Sequence, residues 1–462
     1  MRQLTIRVSF GVAFLAANWT VKAQDTRHIV EPKIPPACAT ITAQLDYHHD
    51  RLSQADAAPV TSEIQKAIDK CSAGHAVLLK AGGAHNALLT GPLLLKPGVV
   101  LVVDKGVHLV ASNDPKDYDR AAGSCGLSNT HGGGCRPLIS AVHADHSGVM
   151  GEGVIEGRGD QKLKTAPLTW WEMHDQKSGN VAHNIPWLIG TEETNDFTLY
   201  GITLRNAPNF NVFLAGGDGV TVWGVKIDAP WNSPNTDGID PSGCTNVTIT
   251  HSYIRNGDDV VAIKAPKDKP AEHITVSQNH FYEGHGMSIG SGTEGGVSAV
   301  RFVDNTIDHM KAGIHIKSNP GRGGHVHDVV FDNICIRNTA TPIDIETTYV
   351  DANAPRAGWI NGTAFPLFTD ITLQHVFTEG GSHLRLMGFD EQHVTEVRLD
   401  DVQVEGVEKM TQHVSNVRVS IGPGATNWIP KGENVTVGGA RREGTTSSCA
   451  AKWVPFPPVP ED

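Results

Sequence analysis

The feature that most limits what this chain can fold into is a repeat of short segments in which apolar and polar residues alternate. Phe197–Leu204, Val220–Ile227, Val247–Ile254, Ile274–Phe281, Val300–Ile307 and Val329–Ile336 begin roughly 23 to 29 residues apart. After a longer gap, Ile371–Val376 and Val397–Val402 resume the pattern. Alternation at period two signals strands rather than helices. A strand-and-turn repeat of this length, with no helical segment between strands, predicts a parallel β-helix. Each turn buries its inward residues against the turns above and below. A leucine-rich repeat would show a fixed leucine pattern, which is missing, and a β-propeller would need four strands per blade and a longer period. The fold class is therefore all-β, a single-stranded parallel β-helix. Stacking lets 462 residues form one domain where length alone suggests two.

The earlier chain fits the same plan. Ala76–Leu79, Val99–Val103, Val107–Ala111 and Gly148–Ile155 are short apolar runs broken by Gly and Asn. Before them, Ile64, Ala67 and Ile68 sit at helical spacing, which predicts a short amphipathic capping helix over Ser62–Cys71. Asn279, Asn305 and Asn333 fall at or near one register and predict a stacked amide ladder.

Residues 1–23 read as a secretory signal. Arg2 and Arg7 make a positive start, Val8–Trp19 is a short apolar stretch, and Val21 to Ala23 fits a small-residue cleavage site. The apolar run is too short to span a membrane. The expected mature chain, residues 24–462, is one catalytic β-helix, secreted or periplasmic and monomeric. Loss of Arg2, Arg7 and Lys22 takes the formal charge from −12 to −15. That acidity argues against nucleic acid as a partner. An acidic polysaccharide would have to be held by local cations.

Export also permits disulfides. Cys125 and Cys135 flank the glycine-rich Gly132–Gly134 and are expected to pair, as are Cys38 and Cys71. Cys244 and Cys335 lie in strand-like surroundings and read as small buried apolar residues. No cysteine or histidine spacing suggests a structural metal, and no cofactor is implied.

Four polar clusters punctuate the repeat: Asn235–Gly238, Gly257–Asp259, Gly284–Gly286 and His315–Lys317. Each lies near an isoleucine in a similar context. Ile239, Ile263, Ile289, Ile316 and Ile345 are predicted to form one inward stack. Adjacent turns of such a stack lie about 4.8 Å apart, so Asp237, Asp258, Asp259, His285 and Lys317 would meet on one wall. Singly, an Asp-Asp pair or a His between glycines is usually a turn or solvated surface. Joint appearance, in order and in register, points to chemistry. Glycoside cleavage by single displacement needs one protonated carboxyl for the leaving oxygen and one carboxylate for the attacking water. Crowded carboxylates keep a proton to higher pH.

On these motifs the chain resembles the polygalacturonases of glycoside hydrolase family 28, whose pattern is Asn-Thr-Asp, Asp-Asp, Gly-His-Gly and Arg-Ile-Lys in that order. The match is best from about Asn195 to Tyr349 and looks most like the bacterial secreted members. The resemblance implies a right-handed helix and inverting hydrolysis of α-1,4 links in pectin or polygalacturonate, an acidic plant cell-wall polysaccharide. It implies Asp258 as general acid, Asp237 and Asp259 as activators of water, and His285 as support for the acid. It places Lys317, with Asn235, Tyr349 and position 315, at the substrate. The family arginine is His315 here. Histidine makes one bond where arginine makes two, and it is charged only below a pKa near 6.5. Weaker galacturonate binding at neutral pH, or a modified pectin unit at that subsite, is expected. A rhamnogalacturonan or xylogalacturonan hydrolase and a pectin or pectate lyase on a similar helix remain alternatives at this stage.

Overall fold

The computed structural model describes residues 24–54, 57–126, 128–129, 133–175, 182–350, 362–442, 444 and 449–459. The expected signal segment and most of the stretch between Tyr349 and Pro366 lie outside the described residues. Among the described residues, 33 strands join into one sheet, and each strand pairs in parallel with those one turn before and after. This is the parallel β-helix the repeat predicts.

Two inward columns form its core beneath the polar clusters. Val212, Ile239, Val261, Met287, Ile314 and Ile343 stack in one, each opposite the next. Ile263, Ile289, Ile316, Ile345 and Leu386 stack in the other. All are fully buried, each contributing roughly 1.5–3 kcal/mol relative to exposure. Ile239 thus corrects the expected single stack, because it aligns with Val261 rather than Ile263. Strand side chains alternate with period two, so a shift of two residues still faces the core.

The amide ladder is also shorter than expected. Asn279 and Asn305 are wholly buried, and Asn305 Oδ1 accepts from both the backbone N–H and the Nδ2 of Asn279 at 3.0 Å. Asn279 Oδ1 in turn accepts from the Ser252 N–H at 2.9 Å. Asn333 does not continue the column. It occupies the preceding corner position with φ 59°, like His251, Gln278 and Asp304 on earlier turns. Asn tolerates that left-handed conformation, so the corner claims it and Ile334 takes the inward place.

The helix runs Thr61–Lys70 and packs Ile64 and Ile68 onto the first turns, closing one end of the core. No helix of the described residues is long and apolar enough to cross a membrane. Disulfides join Cys38 to Cys71 and Cys125 to Cys135. Cys244 is free and buried. Cys335 corrects the reading of it as a small apolar residue: it bonds Cys449, 114 residues away. The bond ties down a C-terminal tail that runs back along the helix. There Val454 O accepts from the Tyr282 hydroxyl at 3.0 Å, and Phe456 and Trp453 cover Arg255 and Arg337.

One core-edge carboxyl couples stability to pH. Glu156 is wholly buried, accepts from the Arg158 N–H at 2.9 Å and lies 4.0 Å from Arg205. Burial pushes its pKa up to about 7 against the pull of Arg205. The unfolded chain would titrate this carboxyl near 4.3. Between those values the folded protein binds more proton, so stability rises as pH falls from about 7 towards about 4.3. Glu156→Gln should flatten the dependence of Tm on pH across that window. It should also stabilise the protein at pH 7.5 by on the order of 1–2 kcal/mol relative to its effect at pH 5. Parallel Tm-versus-pH curves for the two proteins would contradict this.

Candidate active site

The polar clusters converge because each precedes or occupies a strand of the same face. Asp237 and Asp259 stand two residues before the paired Ile239 and Val261, so they are neighbours on adjacent turns. Gly257 makes the approach feasible, since a Cβ there would lie 1.8 Å from Ser233 O. Asn211 Nδ2 donates to the carbonyls of Thr236 and Asp237 at 3.0 and 3.1 Å, and Asn256 Nδ2 to Asp259 O at 3.0 Å. These buried amides fix the backbone carrying the carboxylates.

Outward columns on this face build the floor. Ala262, Ser288, His315, Asp344 and Arg385 follow one another in register. Beside them, Gly290 pairs with Lys317 one turn on, and Lys264 stands next to Ile263 as Gly290 stands next to Ile289. Two lysines therefore share a column with a glycine between them, roughly 10 Å apart at about 4.8 Å per turn.

Each lysine compensates part of the acidic cluster. Lys317 Nζ is 2.8 Å from Asp259 Oδ2, and Ser288 Oγ donates to Asp259 Oδ1 at 2.8 Å. His315 Nδ1 lies 3.1 Å from Ser288 Oγ and 3.9 Å from Asp259 Oδ1. Lys264 bonds Asp240 and reaches Asp237 Oδ2 at 3.3 Å. His285 Nδ1 is 3.0 Å from Asp258 Oδ1, and Lys311 Nζ meets His285 Nε2.

The carboxylates titrate apart. Asp237 is pushed well up by burial and by Asp240 and Asp258, which outweigh Lys264. Asp240 rises to about 6, chiefly through burial, against the pull of Lys264. Asp259 is also desolvated, yet Lys317 and His315 hold it far below the ordinary carboxylate range. Asp258 is desolvated too, but its bond to His285 brings it below the usual value. Of the trio, Asp237 is therefore the member whose surroundings most favour the protonated form. Burial, and then Lys317, lower the pKa of His315, which leaves it neutral at neutral pH.

The structure brings Asp237, Asp258, Asp259, His285, His315, Lys317 and Tyr349 together. Tyr349 places its ring 4.8 Å beneath Lys317 Nζ and 6.2 Å from the His315 ring. Asn235 sits in the adjoining turn with φ 50°. His315 and Lys317 point outward as alternation requires, yet only 8% and 7% of their side chains is exposed, because they are packed onto Asp259. Asp240, Lys264, Ser288 and Lys311 escaped the motif reading. The Ile263-Lys264 pair repeats Ile316-Lys317 and was the one legible signal for them. Oxygens of Asp237, Asp258 and Asp259 lie within 4.8 Å of one another, as do ligand atoms of His315, Asp344 and Glu346. Either group has the atoms to hold a cation, but Lys264 and Lys317 already neutralise the first and Arg385 the second.

Similarity to known proteins agrees with this geometry. Residues 120–423 match the model for glycosyl hydrolases family 28. An endo-polygalacturonase of Pectobacterium parmentieri is 38% identical over 90% of this chain and 98% of its own. A solved polygalacturonase from Erwinia carotovora ssp. carotovora superposes with a TM-score of 0.78 at 38% identity, over 86% of this chain and all of that one. An exopolygalacturonase from Thermotoga maritima, at 20% identity and a TM-score of 0.68 over 90% and 95% of the two chains, shares the fold. With the carboxylate trio, its histidine and its two lysines on one wall of a β-helix, the chain belongs to glycosyl hydrolases family 28 and is a glycoside hydrolase.

Proposed function

We propose that this protein is an exported, endo-acting polygalacturonase that hydrolyses α-1,4 links of de-esterified pectin by single displacement. The observation that carries the role assignment is the accessibility of the trio. The side chain of Asp258 is 22% exposed, against 8% for Asp237 and 4% for Asp259. Asp258 is thus the member able to meet a leaving-group oxygen above the floor. Substrate covering the trio excludes water and adds negative charge, and both raise the pKa of Asp258. As its pKa rises, Asp258 takes up a proton from solvent while substrate binds and gives it to the leaving oxygen as the glycosidic bond breaks, with His285 holding the carboxyl in place. Asp259, kept ionised by Lys317, and Asp237 flank the position for the attacking water. The trio is tighter than the roughly 6.5–9.5 Å usual between the two carboxyls of an inverting enzyme. Asp259, ionised beside the more exposed Asp258, supplies the one base that a single displacement needs, and inversion is our reading. Export rests on the pattern of residues 1–23, and endo action on the named activity of the Pectobacterium relative.

Asp258→Asn should lower kcat on polygalacturonate by about 10²–10⁴-fold while retaining substrate binding and Tm. Proton NMR of the wild-type products should show β-anomeric reducing ends first. Substantial residual turnover in the variant, or initial α anomers, would contradict the assignment.

His315 supplies the second test. A permanent cation at this position would face the substrate and Asp259 at every pH. His315→Arg should lower KM for polygalacturonate severalfold at pH 7. The gain should shrink below the depressed pKa of His315, where the native ring also becomes charged. Identical KM profiles across pH would show that position 315 does not meet the substrate carboxylate.

A further inference from the structure

The floor of the cleft does not end at the carboxylates. Gly190, Phe213 and Asp240 continue it in register towards the N-terminal end, so Phe213 lies one turn, about 4.8 Å, from Asp240. Trp187 and Phe210 close around it. Ring centroids are 4.5 Å apart for Trp187 and Phe213, 5.6 Å for Phe210 and Phe213, and 5.9 Å for Trp187 and Phe210. All three rings are partly exposed, whereas Phe197, Phe281, Phe302 and Phe331 are wholly inside. The patch is held open by design of the backbone. A Cβ on Gly190 would lie 2.7 Å from Pro137 and 3.3 Å from Trp187, so a side chain there would clash with the proline and crowd the indole. Lys264 joins the patch to the catalytic wall, with its Nζ 4.9 Å above the Phe210 ring and 3.3 Å from Asp237.

We propose that Trp187, Phe210 and Phe213 form a stacking platform for the ring of a galacto-configured sugar unit, one turn N-terminal of the carboxylate trio. The proposal rests on the polygalacturonase reading above. A galacto-configured pyranose turns the C–H bonds at C3, C4 and C5 to one face, leaving that face apolar and slightly positive. Aromatic faces carry negative potential and bury large area with little loss of side-chain freedom. The site adjoins Asp240 and Asp237, where an unpaired sugar carboxylate would be repelled, so contact through the ring face is the interaction the patch can offer. Its continuity with the catalytic floor commits the occupant to a unit of the bound chain.

The test uses the full-length Asp258→Asn protein, which removes turnover, and calorimetric titration with short and long de-esterified oligogalacturonides. Affinity should rise with chain length once the oligomer reaches the platform. Adding Phe213→Leu or Trp187→Leu should weaken binding of the long oligomers by roughly three- to tenfold, as loss of about 0.5–1.5 kcal/mol of aromatic contact requires. Short oligomers should bind as before, and Trp187→Phe, which keeps a ring, should retain most of the affinity and control for folding. Equal weakening at every length, or none, would overturn the platform while leaving the catalytic assignment intact. Failure of the Asp258→Asn parent itself to bind any oligogalacturonide would overturn both.

Discussion

The structure depends on one constraint: the parallel backbone ladder that sets successive turns about 4.8 Å apart and in register. Every contact in the site follows from it. Asp237 meets Asp259 because Ile239 meets Val261, and Lys317 reaches Asp259 because its strand lies two turns along the same face. The inward columns of isoleucine and valine make that register costly to change, since a slip of one residue would turn an entire buried column outward. A solenoid core thus does for this enzyme what a rigid pocket does in a globular one. It holds the polar groups of five successive turns at fixed spacing without a flexible hinge between them.

Crowding four carboxylates on such a wall has to be offset, and the two lysines do it unequally. Lys317 and its neighbours keep Asp259 ionised, whereas Lys264 is shared between Asp240 and Asp237 and leaves the pKa of Asp237 raised. The unequal division separates the protonation states of chemically identical groups, which acid–base chemistry requires. Removing either partner of these buried pairs would strand a charge, at a cost of roughly 3–5 kcal/mol. The compensating lysines are therefore bound to the fold as well as to the chemistry.

How much of this was legible in the chain depended on distance. The trio, His285, His315 and Lys317 could be read because a β-helix presents its turns in chain order, so sequence order is spatial order. Each residue also carries a local Gly or Ile context that sets its phase. Lys264 and Asp240 were harder, because nothing local says that a lysine on one turn reaches carboxylates on the turn before. Cys335 was misread because its partner Cys449 belongs to a tail that folds back across many turns. Asn333 looked like a rung of the ladder but fills a corner with positive φ, a distinction of one residue that composition does not encode. The aromatic platform is spread over Trp187, Phe210 and Phe213, and only the register shows that the three meet.

The measurement that tests the central claim most directly is a timed product profile on de-esterified polygalacturonate at acidic pH, with ultraviolet detection. The account predicts a ladder of saturated oligomers that shortens with time, with no growth in absorbance from new double bonds. Unsaturated products would contradict hydrolysis by the carboxylate trio, and an uncleaved polymer would contradict the substrate.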